Sequence, residues 1–474
     1  MADAGELQTK LPLAVDLDGT LIRCDLFTEA MLRLAFRKPW KLPLLLMWLM
    51  RGRAYAKAQL AQEFPPDAAH LPYDERIIAW LREERAAGRT LALATASDLS
   101  AATAVAEHVG LFDRVFASNG VVNLKSRRKG EALAAAYPDG FVYAGNELAD
   151  LKVWSAAKRA VICNASAGFT SAVTRRFNVE KALPRTTNAW RALLTAIRPR
   201  HWAKNLLVFL PMLAGQGWLD GAAWLRAIYA FAALCLVASS VYLVNDAADI
   251  ESDRRHPRKR ARPFASGALS PVLGLPASLT MLACGLALGA LSGAPWLVAL
   301  YLTAATLYTF WLKRIVLVDV FALASLYGLR VVLGGEASGY GASDWLIAFC
   351  GFFFLSLALV KRAAEVDAVR GDLIGRGYRA GDGPLLKRFG VGAGLISTLV
   401  LALYLQEPSN LARYAVPQFL WVLPGAVALW LAYVWLKVER AEMHDDPLLF
   451  ALRDPLSWGV ALVSALAFIA AAMA

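Results

Sequence analysis

The chain has 474 residues, too many for one ordinary domain, and 58% of them are hydrophobic, with 15 tryptophans and a mean hydropathy of +0.44. That composition lies well beyond a soluble average and points to membrane spans. The net charge of +12 raises nucleic acid as a partner, but no nucleic-acid-binding module is found; basic loops in so apolar a chain reflect orientation and anionic ligands.

The opening Met1-Ala2-Asp3-Ala4-Gly5-Glu6 is acidic and lacks an apolar core, so no secretory signal is expected there. Cys24, Cys163, Cys235, Cys284 and Cys350 are scattered without metal-ligand spacing and read as reduced structural thiols. To about residue 185 short apolar runs alternate with helical stretches. Strands are predicted at Pro12–Asp16, Thr90–Thr95, Arg114–Ala117, Phe141–Ala144 and Ala160–Cys163, and helices at Asp74–Ala87 and Ser100–Val109. This alternation predicts an α/β domain with a mainly parallel sheet.

The polar chemistry follows the strands. The first runs into Asp16-Leu17-Asp18-Gly19-Thr20, and alternation sends Asp16 and Asp18 to one side. Two carboxylates at a strand end suit Mg²⁺ and a phosphate, one attacking phosphorus while the other moves protons. Thr95 offers a hydroxyl to a phosphate oxygen, Lys129 a balancing charge, and Asp150 a further metal ligand. Taken singly, Thr95 is also a strand edge, Lys129 a solvated helix residue and Asp150 a helix cap.

In this order the set resembles the haloacid dehalogenase-like phosphatases, over roughly residues 10–165. The resemblance implies a Rossmann-like fold, Asp16 as a nucleophile forming an aspartyl-phosphate, Asp18 as general acid/base, and Mg²⁺ held by Asp16, Asp18, Asn146 and Asp150. One motif departs from the family pattern: Asn146 stands in Gly145-Asn146-Glu147-Leu148-Ala149-Asp150 where an aspartate is expected, a neutral oxygen ligand. The insertion at about 22–88 corresponds to the family's specificity cap. Its apolar run Leu42–Met50, with Trp40 nearby and Arg37, Lys38, Lys41, Arg51 and Arg53 flanking, is too short to span a bilayer. Two readings stay open, a buried cap helix or an interfacial helix resting on lipid.

Beyond a polar linker near Thr186–Asn188, spans are expected near 203–217, 222–244, 271–291, 294–311, 315–334, 344–360, 389–406, 415–436 and 456–473. The predicted domains are therefore 1–185 and 186–474, the second all-α with about nine helices. Basic loops follow the second, fourth, sixth and eighth spans; on the other side only Arg413 is evident. The positive-inside rule then places those loops and the N-terminus in the cytosol, as in a bacterial inner-membrane protein with its C-terminus outside.

The second span ends in Asn245-Asp246-Ala247-Ala248-Asp249-Ile250-Glu251-Ser252-Asp253. Asn245, Asp249 and Asp253 are spaced to share one helical face and suit Mg²⁺ carrying a diphosphate. Intramembrane acids are costly and usually functional; the alternative is a solvated helix end. Arg258, Lys259 and Arg262 follow as phosphate ligands or as orientation signal. Arg198, Lys204 and Asn205 before the first span, Tyr308 and Lys313 at the fourth, and Lys361, Arg362 and Glu365 at the sixth are further anion-binding candidates, with Lys361 and Glu365 on one face.

NDxxDxxxD in a polytopic chain resembles the UbiA superfamily of membrane prenyltransferases, over about residues 190–474. RPRHWAKNLLVF, NDAADIESDRRHPRKRARP, YTFWLKR followed by Asp319, and VKRAAEV make it most similar to the decaprenyl-phosphate phosphoribosyltransferase branch. The second acidic motif of aromatic prenyltransferases is missing: Asp367 and Asp372 stand five apart. The resemblance implies transfer of 5-phosphoribose from 5-phosphoribosyl diphosphate to a polyprenyl phosphate, with Mg²⁺ as cofactor, and the first domain then removing the 5-phosphate. An aromatic prenyltransferase fused to an unrelated phosphatase is the alternative, and a lipid-binding or transport scaffold with a degenerate phosphatase is the third. An oligomer is compatible with all three.

Overall fold

The computed structural model describes residues 10–368, 376–407, 412, 414–443 and 446–473. Met1–Glu6, Asp372 and Arg413 lie outside the described residues. The chain divides into two compact units: one comprises Met1–Ala196 with Asp246–Pro276, the other Ile197–Asn245 with Ala277–Ala474.

The first unit is built on a six-stranded, all-parallel sheet, β1 (Leu13–Val15), β2 (Leu91–Asp98), β3 (Arg114–Ser118), β4 (Val142–Gly145), β5 (Arg159–Cys163) and β6 (Val179–Leu183), in spatial order β3-β2-β1-β4-β5-β6. Strand order reverses between β1 and β4, the switch point of a doubly wound fold. Five strands stand where the apolar runs place them. β6 was not expected, because its alternating burial on the sheet edge gives no continuous apolar run. Buried Leu13, Val15, Leu91 and Leu93 pack on one side of the sheet, while Ala14, Ala92, Tyr143 and Trp154 pack on the other.

Between β1 and β2 the insertion folds as helices α1 (Leu26–Arg37), α2 (Leu42–Arg51) and α3 (Arg53–Glu63). Asp25 caps α1 by accepting from the Thr28 N–H at 2.6 Å, and Lys38 and Lys41 converge on Glu63. Leu45 and Trp48 of α2 are buried with Leu34 and Phe64, whereas Leu46, Met47 and Met50 are exposed, as is Trp40 beside them. One face of the helix is thus buried in the insertion, and the other is apolar and exposed.

The second unit is helical. Eight helices among the described residues are long and apolar enough to cross a membrane: Gly221–Ala248, Pro271–Leu291, Pro295–Arg314, Val318–Ser338, Asp344–Ala368, Gly383–Tyr404, Pro417–Glu439 and Pro455–Ala472. They match eight of the nine expected spans. The ninth, near 203–217, is instead a run of 3₁₀ turns over Pro199–Phe209 followed by a short helix, Leu210–Ala214. Pro211 has no N–H and fits only the first turn of an α-helix, so a helix begins there instead of running through. Buried Val331, Phe354 and Val434 anchor one core of the unit, and Leu234, Val298 and Leu333 another.

Candidate functional site

In the first unit the polar residues gather at the carboxyl end of the sheet, where β1 and β4 part. Asp16 and Asp18 follow β1; Asn146 and Asp150 follow β4. All four border one cavity of about 570 Å³. Gly19, at φ +73°, lets the turn after β1 come close: a Cβ there would stand 2.3 Å from the Asn146 amide nitrogen.

The Lys129 ammonium donates to Asp16 Oδ1 and to the Tyr143 hydroxyl, both at 2.8 Å, and that hydroxyl donates to Asp150 Oδ1 at 2.8 Å. Asp150 Oδ2 accepts the backbone N–H groups of Asn146 and Glu147 at 2.9 and 3.0 Å. Asp150 therefore braces the turn that carries Asn146. Asp18 accepts from the Leu26 N–H at 2.9 Å and from Ser97 Oγ at 2.6 Å, with Thr95 Oγ1 farther off at 3.4 Å. β2 runs on past Thr95 to Asp98 and brings Ser97 to the cavity, a hydroxyl that sequence reasoning did not single out.

Burial raises Asp16 to about 7 against the pull of Lys129. Burial, with Asp25 nearby, raises Asp18 to about 6. Burial alone lowers Lys129, and the Asp16 and Asp150 carboxylates reverse it to a net rise. Lys57 of α3 and Lys125 also border the cavity. Neither was foreseen: a lysine on a helix or in a loop carries no motif. Burial lowers Lys57, whose ammonium donates to the Ala96 carbonyl at 2.5 Å.

The acidic run 245–253 crosses a helix junction. One helix ends at Ala248 and the next spans Ile250–Arg255, with Asp249 between them at φ −95°, ψ 6°. The Asp253 N–H donates to the Asp249 carbonyl at 2.8 Å as the first bond of the second helix, so Asp249 and Asp253 keep the i, i+4 spacing while Asn245 stands on the helix before the break. Arg262 donates to Asp246 at 3.1 Å and to Asp253 at 2.8 Å, while Arg258 and Lys259 are exposed. Burial raises Asp253 despite Arg262.

In the second unit two of the expected cations meet on a residue that carried no motif. The Asp446 carboxylate lies 2.6 Å from Lys204 Nζ and 3.6 Å from Lys361 Nζ. Burial alone would raise Asp446, but Lys204 and Lys361 hold it down at about 2. Lys204 also stands over the Tyr327 ring, 5.5 Å from its centre, and Arg198 over that of Tyr242, at 4.9 Å. Asn205 is buried and accepts from Arg330 Nε at 2.8 Å.

Lys361 and Glu365 part company despite their spacing. Arg362 takes Glu365 as a partner and also meets Asp319 at 2.5 Å, both Arg362 and Asp319 being fully buried. Arg376 lies 3.5 Å from Glu365 and beside Tyr308. Lys313 is half-buried at the end of Pro295–Arg314. Asp367 pairs with Lys387 at 3.1 Å.

Mg²⁺ fits the donor chemistry of both places. Asp16, Asp18 and Asn146 offer hard oxygens to one cavity, and Asp249 and Asp253 offer two carboxylates in helical register. Among the described residues, no three His, Cys, Asp or Glu side chains form a ready metal cage. Few protein ligands, completed by phosphate oxygens and water, is the usual Mg²⁺ arrangement.

The model of the UbiA prenyltransferase family matches residues 206–453. Uncharacterized protein y4nM of Sinorhizobium fredii is 38% identical over 470 residues, 98% of this chain and 91% of that protein, so the match runs through both units. Nodulation protein NoeC of Azorhizobium caulinodans is 34% identical over 275 residues, 55% of this chain and 86% of that protein. Decaprenyl-phosphate phosphoribosyltransferase of Mycolicibacterium smegmatis is 36% identical over 193 residues, 38% of this chain and 58% of that enzyme.

Proposed function

Because the chain belongs to the UbiA prenyltransferase family, a multi-pass membrane family, we propose that it transfers 5-phosphoribose from 5-phosphoribosyl diphosphate to a polyprenyl phosphate and then removes the 5-phosphate. The observation that carries the first step is the meeting of Lys204 and Lys361 on Asp446. The two lysines come from the segments that resemble the phosphoribosyl branch and converge on one point, where a substrate phosphate would take them from Asp446. The phosphoribosyltransferase relatives support the donor.

In the transfer, an oxygen of the lipid phosphate attacks the anomeric carbon, and the bond to the diphosphate breaks with its electron pair. Lys204 and Lys361 orient anionic groups of the substrates, which lowers the barrier by alignment. Asn245, Asp249 and Asp253 would hold Mg²⁺, whose charge stabilises the departing diphosphate. Tyr308, Lys313, Arg362 and Glu365 are proposed as supports of the same substrates, with Arg198 and Asn205; Arg258, Lys259 and Arg262 supply further positive charge.

Residues 1–185 are proposed as a haloacid dehalogenase-like phosphatase domain and 186–474 as the transferase. Asp16 attacks the 5-phosphate phosphorus, and the P–O bond to ribose breaks as Asp18 protonates the leaving hydroxyl. Water then attacks the aspartyl-phosphate, returning a proton to Asp18 and releasing phosphate. Lys129, hydrogen-bonded to Asp16, steadies the charge; Thr95 orients Ser97; Asp150 holds Asn146.

The segment 246–276 folds in one unit with residues 1–196, which favours a shared side of the membrane for both, the cytoplasmic side by the positive-inside rule; that reading requires the 3₁₀ run and short helix over 199–214 to cross as well as Gly221–Ala248. The exposed apolar face of α2, between Lys41 and Arg53, is proposed to rest on the lipid surface.

Purified protein offered labelled 5-phosphoribosyl diphosphate with polyprenyl phosphate is expected to place label in the lipid fraction. Prenylation of 4-hydroxybenzoate from a polyprenyl diphosphate, with no transfer of ribose label, would instead favour the aromatic prenyltransferase.

A further inference from the structure

The stretch that follows the acidic run does something that sequence spacing gave no hint of. Arg254 turns inward and is buried against the insertion: its Nη1 and Nη2 donate to the two oxygens of Glu29 at 2.8 and 2.6 Å, and its Nε to the Ala265 carbonyl at 2.9 Å. Two more ion pairs of matched sign flank it, Arg37 with Glu251 and Arg255 with Asp67, both at 2.9 Å. Farther on, Gly267 is at φ +72°, and a Cβ there would stand 2.5 Å from the Arg23 carbonyl. The segment is thus seated on the turn just after Asp18, at a point where only glycine fits.

Phe264, Leu269 and Pro271 consequently border the same cavity as Asp16, together with Phe27, Met31 and Leu49 of the insertion. The cavity has a cationic and carboxylate end and a substantial apolar lining. A small polar phosphate ester makes no use of that lining; an ester whose alcohol carries a hydrocarbon chain buries it there.

We infer that Phe264–Pro271 is the specificity wall of the Asp16 cavity, selecting phosphomonoesters borne on an isoprenoid-type amphiphile. The inference rests on the phosphatase reading above. It makes the first unit's site incomplete without a segment from beyond the first long membrane helix, so that one stretch of chain carries acidic-motif residues at its start and closes the second site at its end.

The full-length protein in detergent is assayed with two probes, p-nitrophenyl phosphate and synthetic farnesyl-phosphoryl ribose 5-phosphate. The readout is the ratio of kcat/KM for the lipid probe to that for the nitrophenyl probe, a quantity that a general loss of folding does not bias. Gly267→Val should displace the segment and lower that ratio by at least about tenfold. Leu269→Ala, which leaves Gly267 in place and removes only one of the segment's two fully buried large side chains, should lower it in the same direction and decides the matter if the valine variant does not fold. A ratio within about twofold of the parent's in the folded Leu269→Ala protein overturns the inference alone. Failure of the parent to hydrolyse either probe overturns the phosphatase reading and the inference with it.

Discussion

Glu29→Gln tests the seat of Arg254 directly. Glu29 and Arg254 are 3% and 7% exposed, and the carboxylate takes both guanidinium nitrogens. Gln keeps the volume but leaves the cation buried without a counter-charge, a change that costs about 3–5 kcal/mol. A unit of this size loses roughly 2–4 °C of melting temperature per kcal/mol, so a fall of roughly 6 to 20 °C is expected in thermal unfolding in detergent. Arg37→Ala is the internal comparison. It breaks an ion pair at 2.9 Å, but Arg37 is 54% exposed, and such pairs contribute at most about 1 kcal/mol. Glu29→Leu with Arg254→Met, which removes both charges, should recover much of the loss, apart from about 1 kcal/mol for the bond to Ala265. Equal small shifts for Glu29→Gln and Arg37→Ala would refute the reasoning, since Arg254 would then be solvated and the segment not seated.

Asp446 is held at about 2, below its ordinary value, so its ion pairs stabilise the fold fully above about pH 4 and are lost as pH falls through 2. Asp446→Asn should cost about 2 kcal/mol near neutrality and flatten the acid limb of the thermal-unfolding profile; an unchanged limb would count against the Lys204–Asp446–Lys361 cluster. Ser97→Ala removes a hydrogen bond to the Asp18 carboxylate worth about 1.5–3 kcal/mol, so phosphate release should fall roughly ten- to a hundredfold. Release within about twofold of the parent would leave Ser97 without a part. Asp249→Ala and Asp253→Ala should each abolish labelling of the lipid in a folded protein, and near-normal labelling would remove the acidic run from the transferase site.

Much of this was legible in the sequence where one residue type does one thing at fixed spacing. The apolar strands gave the sheet because parallel strands are buried on both faces, and the lengths of the apolar stretches gave eight spans. β6 escaped because an edge strand shows alternation instead of an apolar run. The stretch 203–217 had the composition of a span, and Pro211 with the buried polar pair Lys204 and Asn205 turned it into 3₁₀ turns. Among the candidate site residues, Asp16, Asp18, Lys129 and Asn146 were legible because strand ends and a family motif mark them. Ser97, Lys57 and Asp446 were not, because their partners lie tens or hundreds of residues away; Tyr143 was not, because it stands in an apolar strand that reads as core. Arg254 shows the same limit: within a run of basic residues nothing distinguishes the one that pairs with Glu29, 225 residues earlier.

The central claim is that two consecutive steps act on one lipid. It is tested with 5-phosphoribosyl diphosphate carrying a carbon label in the ribose and a phosphorus label in the 5-phosphate, given with polyprenyl phosphate to the parent and to Asp16→Asn. The parent should leave the carbon label in the lipid fraction and the phosphorus label in inorganic phosphate, whereas Asp16→Asn should keep both in the lipid at equal amounts. No carbon label in the lipid from the parent, or the same ratio of the two labels from both proteins, would contradict the account.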